Sequence, residues 1–414
     1  MAASHILIVG TSMAGVRAAE ALRVEGFAGT ITLVGDEPHQ PYDRPPLSKE
    51  VLAGTKEVFG ANLRVAPDLD AEWILGVAAT SLDLDARTVG LADGRSLPYD
   101  GLLVATGAAA RHLPGTEGFV NVGALRDLDD VIALRTLVDG DATRVAVVGA
   151  GFIGCEVAAT CRERGMDVTI VEPLPAPLAR VLGEQVGGVI AEIHREHGVD
   201  VRLGVGVEGI DGTGDTATAL RLADGTTVEA DAFVVGIGVI PNTGWLEGSG
   251  LTLDNGIVCD ETTLAAPGVV AAGDVANWPN PTYAGERMRV EHWEHAINMG
   301  VHAARRLLAE LAGEPGEPFA TVPWFWSDQY DRKIQLAGRA HPDDEVVVVA
   351  GSFAARRFCA LYGRKGRVSG VLAMNMPAMV VRYRRQLASG LGWDDALAAA
   401  AEAAAVPPAP APRR

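Results

Sequence analysis

Two short glycine clusters carry the chemistry in this chain. Gly149, Gly151 and Gly154 complete a G-x-G-x-x-G pattern without exception, and Glu172 closes the apolar run that follows. Such a turn between strand and helix brings bare backbone up to a pyrophosphate, which rests on the N–H groups opening the helix. A carboxylate about 20 residues further on accepts from an adenosine ribose and repels a 2′-phosphate, so the pattern favours NADH over NADPH. The other cluster, Gly10-Thr11-Ser12-Met13-Ala14-Gly15, keeps the outer glycines but has Ser12 in the middle, and its acid is Asp36. Alone it is the weaker match, because a side chain occupies the point of closest approach. Thr106-Gly107 and Gly273-Asp274 each end an apolar run at small residues, and Asp274 suits the ribityl hydroxyls of FAD. Two dinucleotide sites in one chain have their simplest reason in hydride passing from nicotinamide to flavin.

The elements that must position these residues are legible from periodicity. Ile6–Val9, a helix over Val16–Val24 and Ile31–Val34 form one βαβ unit; Val145–Val148, Glu156–Arg164 and Val168–Val171 form a second. A meander is expected from Trp73 to Leu97, and another turning at Asp224-Gly225 before Phe233–Ile240. Val269 to Ala272 reads as a strand and Trp293–Leu311 as a long helix. Ile334–Gly338, Glu345–Val349 and Phe358–Leu361 read as strands of a smaller terminal domain. The alanine- and proline-rich end, Ala403–Arg414, reads as a disordered tail.

The chain has 414 residues, 48% of them hydrophobic, enough for two or three domains with large cores. A formal charge of −18 argues against nucleic acid as a partner. Cys155, Cys161, Cys259 and Cys359 form no C-x-x-C pair and no zinc spacing, and read as small buried hydrophobes in a reducing compartment. No cysteine precedes Cys155, which excludes a redox dithiol on the first dinucleotide domain. Electrons must then leave singly to a carrier, or pass to a small acceptor such as oxygen or a quinone. No apolar stretch approaches a membrane span, so a cytoplasmic protein without a membrane partner is expected. His292 and His295, beside Glu291 and Glu294, have a spacing that suggests a metal, but the reading is that none is held.

Over nearly its whole length the sequence resembles the FAD- and NADH-dependent ferredoxin reductases that serve bacterial haem monooxygenases and aromatic-ring dioxygenases. The resemblance rests on Pro41-Tyr42-Asp43-Arg44-Pro45-Pro46-Leu47-Ser48-Lys49, Ala105-Thr106-Gly107, Leu125 to Asp130, Gly149 to Ala159, Gly236 to Asn242, Ala272 to Ala276, Val290 to Trp293 and Pro323 to Tyr330. It implies an α/β fold with two Rossmann-like dinucleotide-binding domains of the glutathione reductase type and a C-terminal α+β domain. The expected boundaries are 1–110 with 242–320 for FAD, 111–241 for NAD, 321–402 for the interface domain and 403–414 for the tail.

It also implies roles. Gly10, Ser12, Met13, Ala14, Gly15, Asp36, Arg44, Lys49, Ala79, Ala105, Thr106, Gly107, Arg126, Gly273, Asp274, Glu291, His292, Trp293 and Ala296 fall where relatives hold FAD. Gly149, Gly151, Phe152, Ile153, Gly154, Glu156, Glu172, Gly236, Ile237 and Gly238 fall where they hold NADH. Lys49 resembles a lysine near flavin N5, with Glu156 the acid paired to it; these are the catalytic expectations. The acceptor implied is an iron-sulfur ferredoxin of the 2Fe-2S kind, and the chain a monomer or weak dimer. Arg305-Arg306, Arg356-Arg357, Arg364-Lys365-Arg367 and Arg382-Arg384-Arg385 are candidate docking cations, with Trp324 and Trp326 near the flavin edge. An NADH oxidase, a quinone or small-molecule reductase, and a redox-sensing flavoprotein stay open as alternatives.

Overall fold

Short apolar runs, four of them followed by glycine or alanine, assemble a largely parallel sheet around the first glycine turn. A computed structural model of the chain describes residues 5–405 and divides them into two compact units. The first comprises 5–113, 123–136 and 237–321; the second comprises 114–122, 137–236 and 322–405.

In the first unit the strands lie in the order Leu264–Ala266, Val269–Ala271, Gly101–Val104, His5–Val9, Thr30–Val34, Glu72–Ile74. All neighbours are parallel except the first pair. Trp73 therefore belongs to this sheet and not to the meander, since its strand continues the parallel register beside Leu33. The meander proper is Ala79–Asp83, Thr88–Leu91 and Ser96–Pro98. Helices Met13–Val24 and Trp293–Ala312 pack closely where Gly300 admits the Ala14 carbonyl; a Cβ on Gly300 would stand 2.4 Å from that oxygen.

In the second unit Asp200–Leu203, Asp167–Glu172, Arg144–Val148 and Ala232–Val235 lie side by side in that order, all parallel. The run from Phe233 to Ile240 is not one strand. It breaks at Gly236 and Gly238, the latter at φ +99°, and Val239–Pro241 pairs antiparallel with Ala108–Ala110 in the first unit. Helix Ala179–Glu196 escaped the sequence reading because Gly183, Gly187 and Gly188 interrupt its pattern. The C-terminal sheet is antiparallel, in the order Trp324–Gln329, Arg332–Gly338, Arg367–Met374, Arg357–Arg364, Glu345–Ser352. Helices Pro377–Ala388 and Trp393–Ala405 follow it. The last helix thus runs through Ala403–Ala405, and residues 406–414 of the expected tail lie outside the described residues.

Candidate dinucleotide sites

The first glycine turn is built by backbone proximity. A Cβ on Gly10 would lie 2.1 Å from the Ala105 carbonyl oxygen, and one on Gly15 would lie 1.9 Å from that of Gly10. Gly273, at φ +76°, brings its Cα so close that a Cβ would meet Ala14 Cβ at 3.1 Å and Ala296 Cβ at 3.9 Å. Gly10, Ala14, Gly15, Ala105, Gly273 and Ala296 therefore converge. Ser12 is the N-cap of helix Met13–Val24, yet among the described residues no side chain caps that helix. Its first amides, at Met13, Ala14 and Gly15, are left as donors for an anion. This donor set and glycine-lined approach fit the pyrophosphate of FAD.

Around this turn Arg126 donates to Asp274 Oδ2 and to the Ala108 carbonyl, both at 2.8 Å. Arg44 donates to the Arg126 carbonyl and pairs with Glu37. The Asp274 carboxylate keeps acceptor capacity beyond that one ion pair, as a ribityl chain requires. Thr106 Oγ1 donates to the Asn242 carbonyl while the Asn242 amide donates to that of Thr106, which pins the turn before Gly107. Lys49 lies in the π-turn Leu47–Val51 at φ −120°, ψ −105°, and its Nζ donates to the Pro45 carbonyl at 3.1 Å. Asp36 is exposed just past strand Thr30–Val34, and Ala79 pairs with Leu91 at a meander edge.

His292 and Trp293 open a second uncapped helix in the same unit. Trp293 Nε1 donates to Asp43 at 2.7 Å, and Glu291 pairs with Arg289 at 2.7 Å. Burial pushes His292 down to about 4 and His295 to about 3, so both rings are neutral at physiological pH. His295 stacks on Trp278, and among the described residues no group of three or more His, Cys, Asp or Glu could hold a metal ion.

The second turn follows the same geometry. Gly149 sits at φ +96°, and a Cβ on Gly154 would lie 2.2 Å from the Gly149 carbonyl oxygen. Gly151 is the N-cap of helix Phe152–Glu163, again without a side-chain cap. Glu172 is held by two backbone donors, Ala150 at 2.8 Å and Leu174 at 3.0 Å. These bonds lock the carboxylate against the glycine turn, where a ribose would present its hydroxyls. Gly236 donates to the Val148 carbonyl at 2.7 Å, and its own carbonyl oxygen would stand 3.8 Å from a Cβ on Gly151. Ile153 is exposed beside the turn, while Phe152 meets Phe325 edge-on at 4.5 Å. Glu156, 3% exposed, accepts from Ser327 Oγ at 2.7 Å. Ile237 and Gly238 fall in the first unit, where the Gly238 carbonyl accepts from Arg111.

Four cations of the arginine clusters are paired with acids. Arg305 bonds Glu25, buried Arg306 bonds Glu310, Arg356 bonds Glu192 and Glu196, and Arg364 bonds Asp344. Arg384 donates to the Val322 carbonyl, and Trp324 stacks with Trp326 at 5.3 Å. Arg382 and Arg385 are exposed. All four cysteines are free and buried, and burial raises each thiol, Cys161, Cys259 and Cys359 to about 12. No described helix is long and apolar enough to cross a membrane. Sequence reasoning missed Gly300 and His194, and it singled out Asn242, Ser327 and Gln329 only as parts of family-like segments, without a role. Of the two missed, only Gly300 left a local signal, a small residue within an amphipathic helix.

Two uncapped helices behind glycine turns, each followed by its own acid, define an oxidoreductase that holds two dinucleotides. Residues 4–300 match the pyridine nucleotide-disulphide oxidoreductase family, and residues 324–405 match the reductase C-terminal domain. The chain belongs to that family, and FAD and NAD(H) are its cofactors. It is 40% identical over 390 residues to rhodocoxin reductase of Rhodococcus erythropolis, covering 93% of this chain and 89% of that one. It is 37% identical over 391 residues to the ferredoxin reductase component of chlorobenzene dioxygenase of Cupriavidus sp., covering 91% and 90%. Its fold is similar to the reductase in the covalent putidaredoxin reductase–putidaredoxin complex, with a TM-score of 0.89 and 34% identity over 98% of this chain and 99% of that one.

Proposed function

We propose that the protein oxidises NADH through FAD and delivers electrons one at a time to an iron-sulfur ferredoxin of the 2Fe-2S kind. That ferredoxin would serve a haem monooxygenase or a ring-hydroxylating oxygenase. The observation that carries the reading is the combination of two glycine cradles with thiols that are all buried and raised, which leaves no dithiol to take the electron pair. The names of the relatives point to the same acceptor class. When bound, FAD supplies the conversion of a hydride into two single electrons.

The chain's own residues bind and orient. The amides at Met13–Gly15 and those opening helix Phe152–Glu163 hold the two pyrophosphates. Arg126 sets the Asp274 carboxylate for the ribityl hydroxyls, and Glu172 selects the unphosphorylated ribose. Lys49 places positive charge at the flavin, and Glu156, the acid paired with it, places a carboxylate at the nicotinamide end. FAD belongs to residues 1–110 and 242–320, with Arg126 added from the intervening segment, NADH to 111–241 otherwise, and the interface with the acceptor to 321–402. The protein acts as a monomer or weak dimer in the cytoplasm, where four unbonded thiols persist.

Cytochrome c reduction by NADH, with and without an added 2Fe-2S ferredoxin, tests the reading. Strong stimulation by ferredoxin is expected. Equal rates without it, with oxygen or quinone consumed instead, would replace the ferredoxin with a small acceptor.

A further inference from the structure

Buried polar side chains in the second unit join into one hydrogen-bonded line. Ser327 Oγ lies 2.7 Å from Glu156 Oε1, and Gln329 Nε2 lies 3.2 Å from Ser327 Oγ. Gln329 Oε1 faces His194 Nε2 at 3.2 Å, and His194 Nδ1 faces the Tyr330 hydroxyl at 3.0 Å. The exposed His197 ring then stacks on Tyr330, with centroids 3.6 Å apart and planes at 8°. Glu156, Ser327, Gln329 and His194 are each at most 3% exposed. Ser327 and Gln329 share one face of strand Trp324–Gln329 because side chains alternate along a strand. Tyr330, at φ +54°, occupies the turn that follows.

The direction of every bond follows from donor chemistry. Ser327 Oγ donates to Glu156 Oε1. That uses the one serine proton, so the Gln329 amide nitrogen donates to Ser327 Oγ. The Gln329 carbonyl oxygen then faces His194, whose Nε2 must carry the hydrogen. A neutral imidazole has one donor and one acceptor, so Nδ1 accepts from Tyr330. Burial holds this histidine neutral by pushing it down to about 4, and raises the tyrosine. All four donors thus point towards Glu156, and aligned hydrogen bonds of this kind strengthen one another.

We propose that Ser327, Gln329 and His194 are positioning residues that hold the Glu156 side chain in one orientation for hydride delivery, so that the C-terminal sheet and helix Ala179–Glu196 complete the nicotinamide site. The proposal rests on the reading that Glu156 takes part in hydride transfer. Its consequence is that residues touching neither dinucleotide set the rate of flavin reduction. Removing a donor leaves the buried side chain free to rotate away from the reacting geometry.

The test is anaerobic stopped-flow reduction of the FAD-loaded enzyme by NADH, which separates the limiting rate from the NADH Kd. Ser327→Ala lowers the limiting rate about tenfold and leaves Kd within about twofold. Ser327→Thr, which keeps the hydroxyl, restores the rate, and Gln329→Met repeats the alanine result by an independent route. In a Glu156→Gln background Ser327→Ala adds no further loss. The proposal is overturned if Glu156→Gln slows reduction while Ser327→Ala and Gln329→Met do not, or if their losses follow flavin content and thermal midpoint alone. If Glu156→Gln itself reduces at the normal rate, the reading of Glu156 fails first and the relay falls with it.

Discussion

Replacing Gly154 by alanine should separate the two cradles. The added Cβ would lie 2.2 Å from the Gly149 carbonyl oxygen, a fixed backbone atom that cannot swing aside. An unstrained carbon–oxygen contact is about 1 Å longer, so helix Phe152–Glu163 must withdraw from strand Arg144–Val148 by roughly that amount. Overpacking of this size costs about 1–3 kcal/mol. The same withdrawal moves the amides that face the NADH pyrophosphate, so binding that needs them in place loses free energy up to about that cost. The expected result is an NADH Kd raised about a hundredfold, or about 2.7 kcal/mol, with flavin content unchanged because the FAD cradle lies in the other unit. Gly15→Ala should do the converse, since its Cβ would lie 1.9 Å from the Gly10 carbonyl oxygen. That protein should purify with little FAD. Flavin is counted by its visible absorbance, and NADH affinity by the concentration dependence of anaerobic bleaching. An unchanged NADH Kd in Gly154→Ala, or loss of flavin from it, would refute the assignment of the second cradle.

Glu172→Gln removes the charge that faces the ribose while keeping the side-chain length. A hydrogen bond to a charged group exceeds a neutral one by about 1–1.5 kcal/mol, so kcat/KM for NADH should fall about tenfold while that for NADPH rises; a preference ratio that does not move would disprove the role. Asp231 accepts from Thr143 and from the Arg144 backbone and guanidinium at the start of the central strand, and Arg144 holds its carboxyl down to about 2. Because this folded value lies below the unfolded one, its stabilisation is present above about pH 3.9 and is lost as pH falls towards 2. Asp231→Asn should therefore lower the urea midpoint at neutral pH, with the gap from the parent narrowing through that acid window.

Local pattern alone was enough to place both βαβ units, because strand, turn, helix and acid follow one another within some thirty residues. Helices Met13–Val24 and Phe152–Glu163 begin three or four residues earlier than periodicity suggests, since the glycine turn itself supplies the N-cap. Trp73 looked like part of a meander because a three-residue strand carries too little pattern to reveal its partner; only the sheet edge beside Leu33 decides it. Which of the candidate docking cations are already paired was not legible, because a sequence does not show the acids that meet them. Arg356 finds Glu192 and Glu196, and Arg306 finds Glu310.

What the sequence by itself determined is the chemistry of the two turns: glycine where backbone must approach a phosphate, an acid where a ribose must be held, and no cysteine before Cys155 to receive an electron pair. What only the tertiary structure decided is which distant side chains set those groups. Arg126 reaches Asp274 across 148 residues, and Ser327 reaches Glu156 across 171. The physical reason is that a turn's geometry is written in neighbouring φ and ψ angles, whereas the state of a buried carboxylate depends on donors brought to it by the packing of whole sheets.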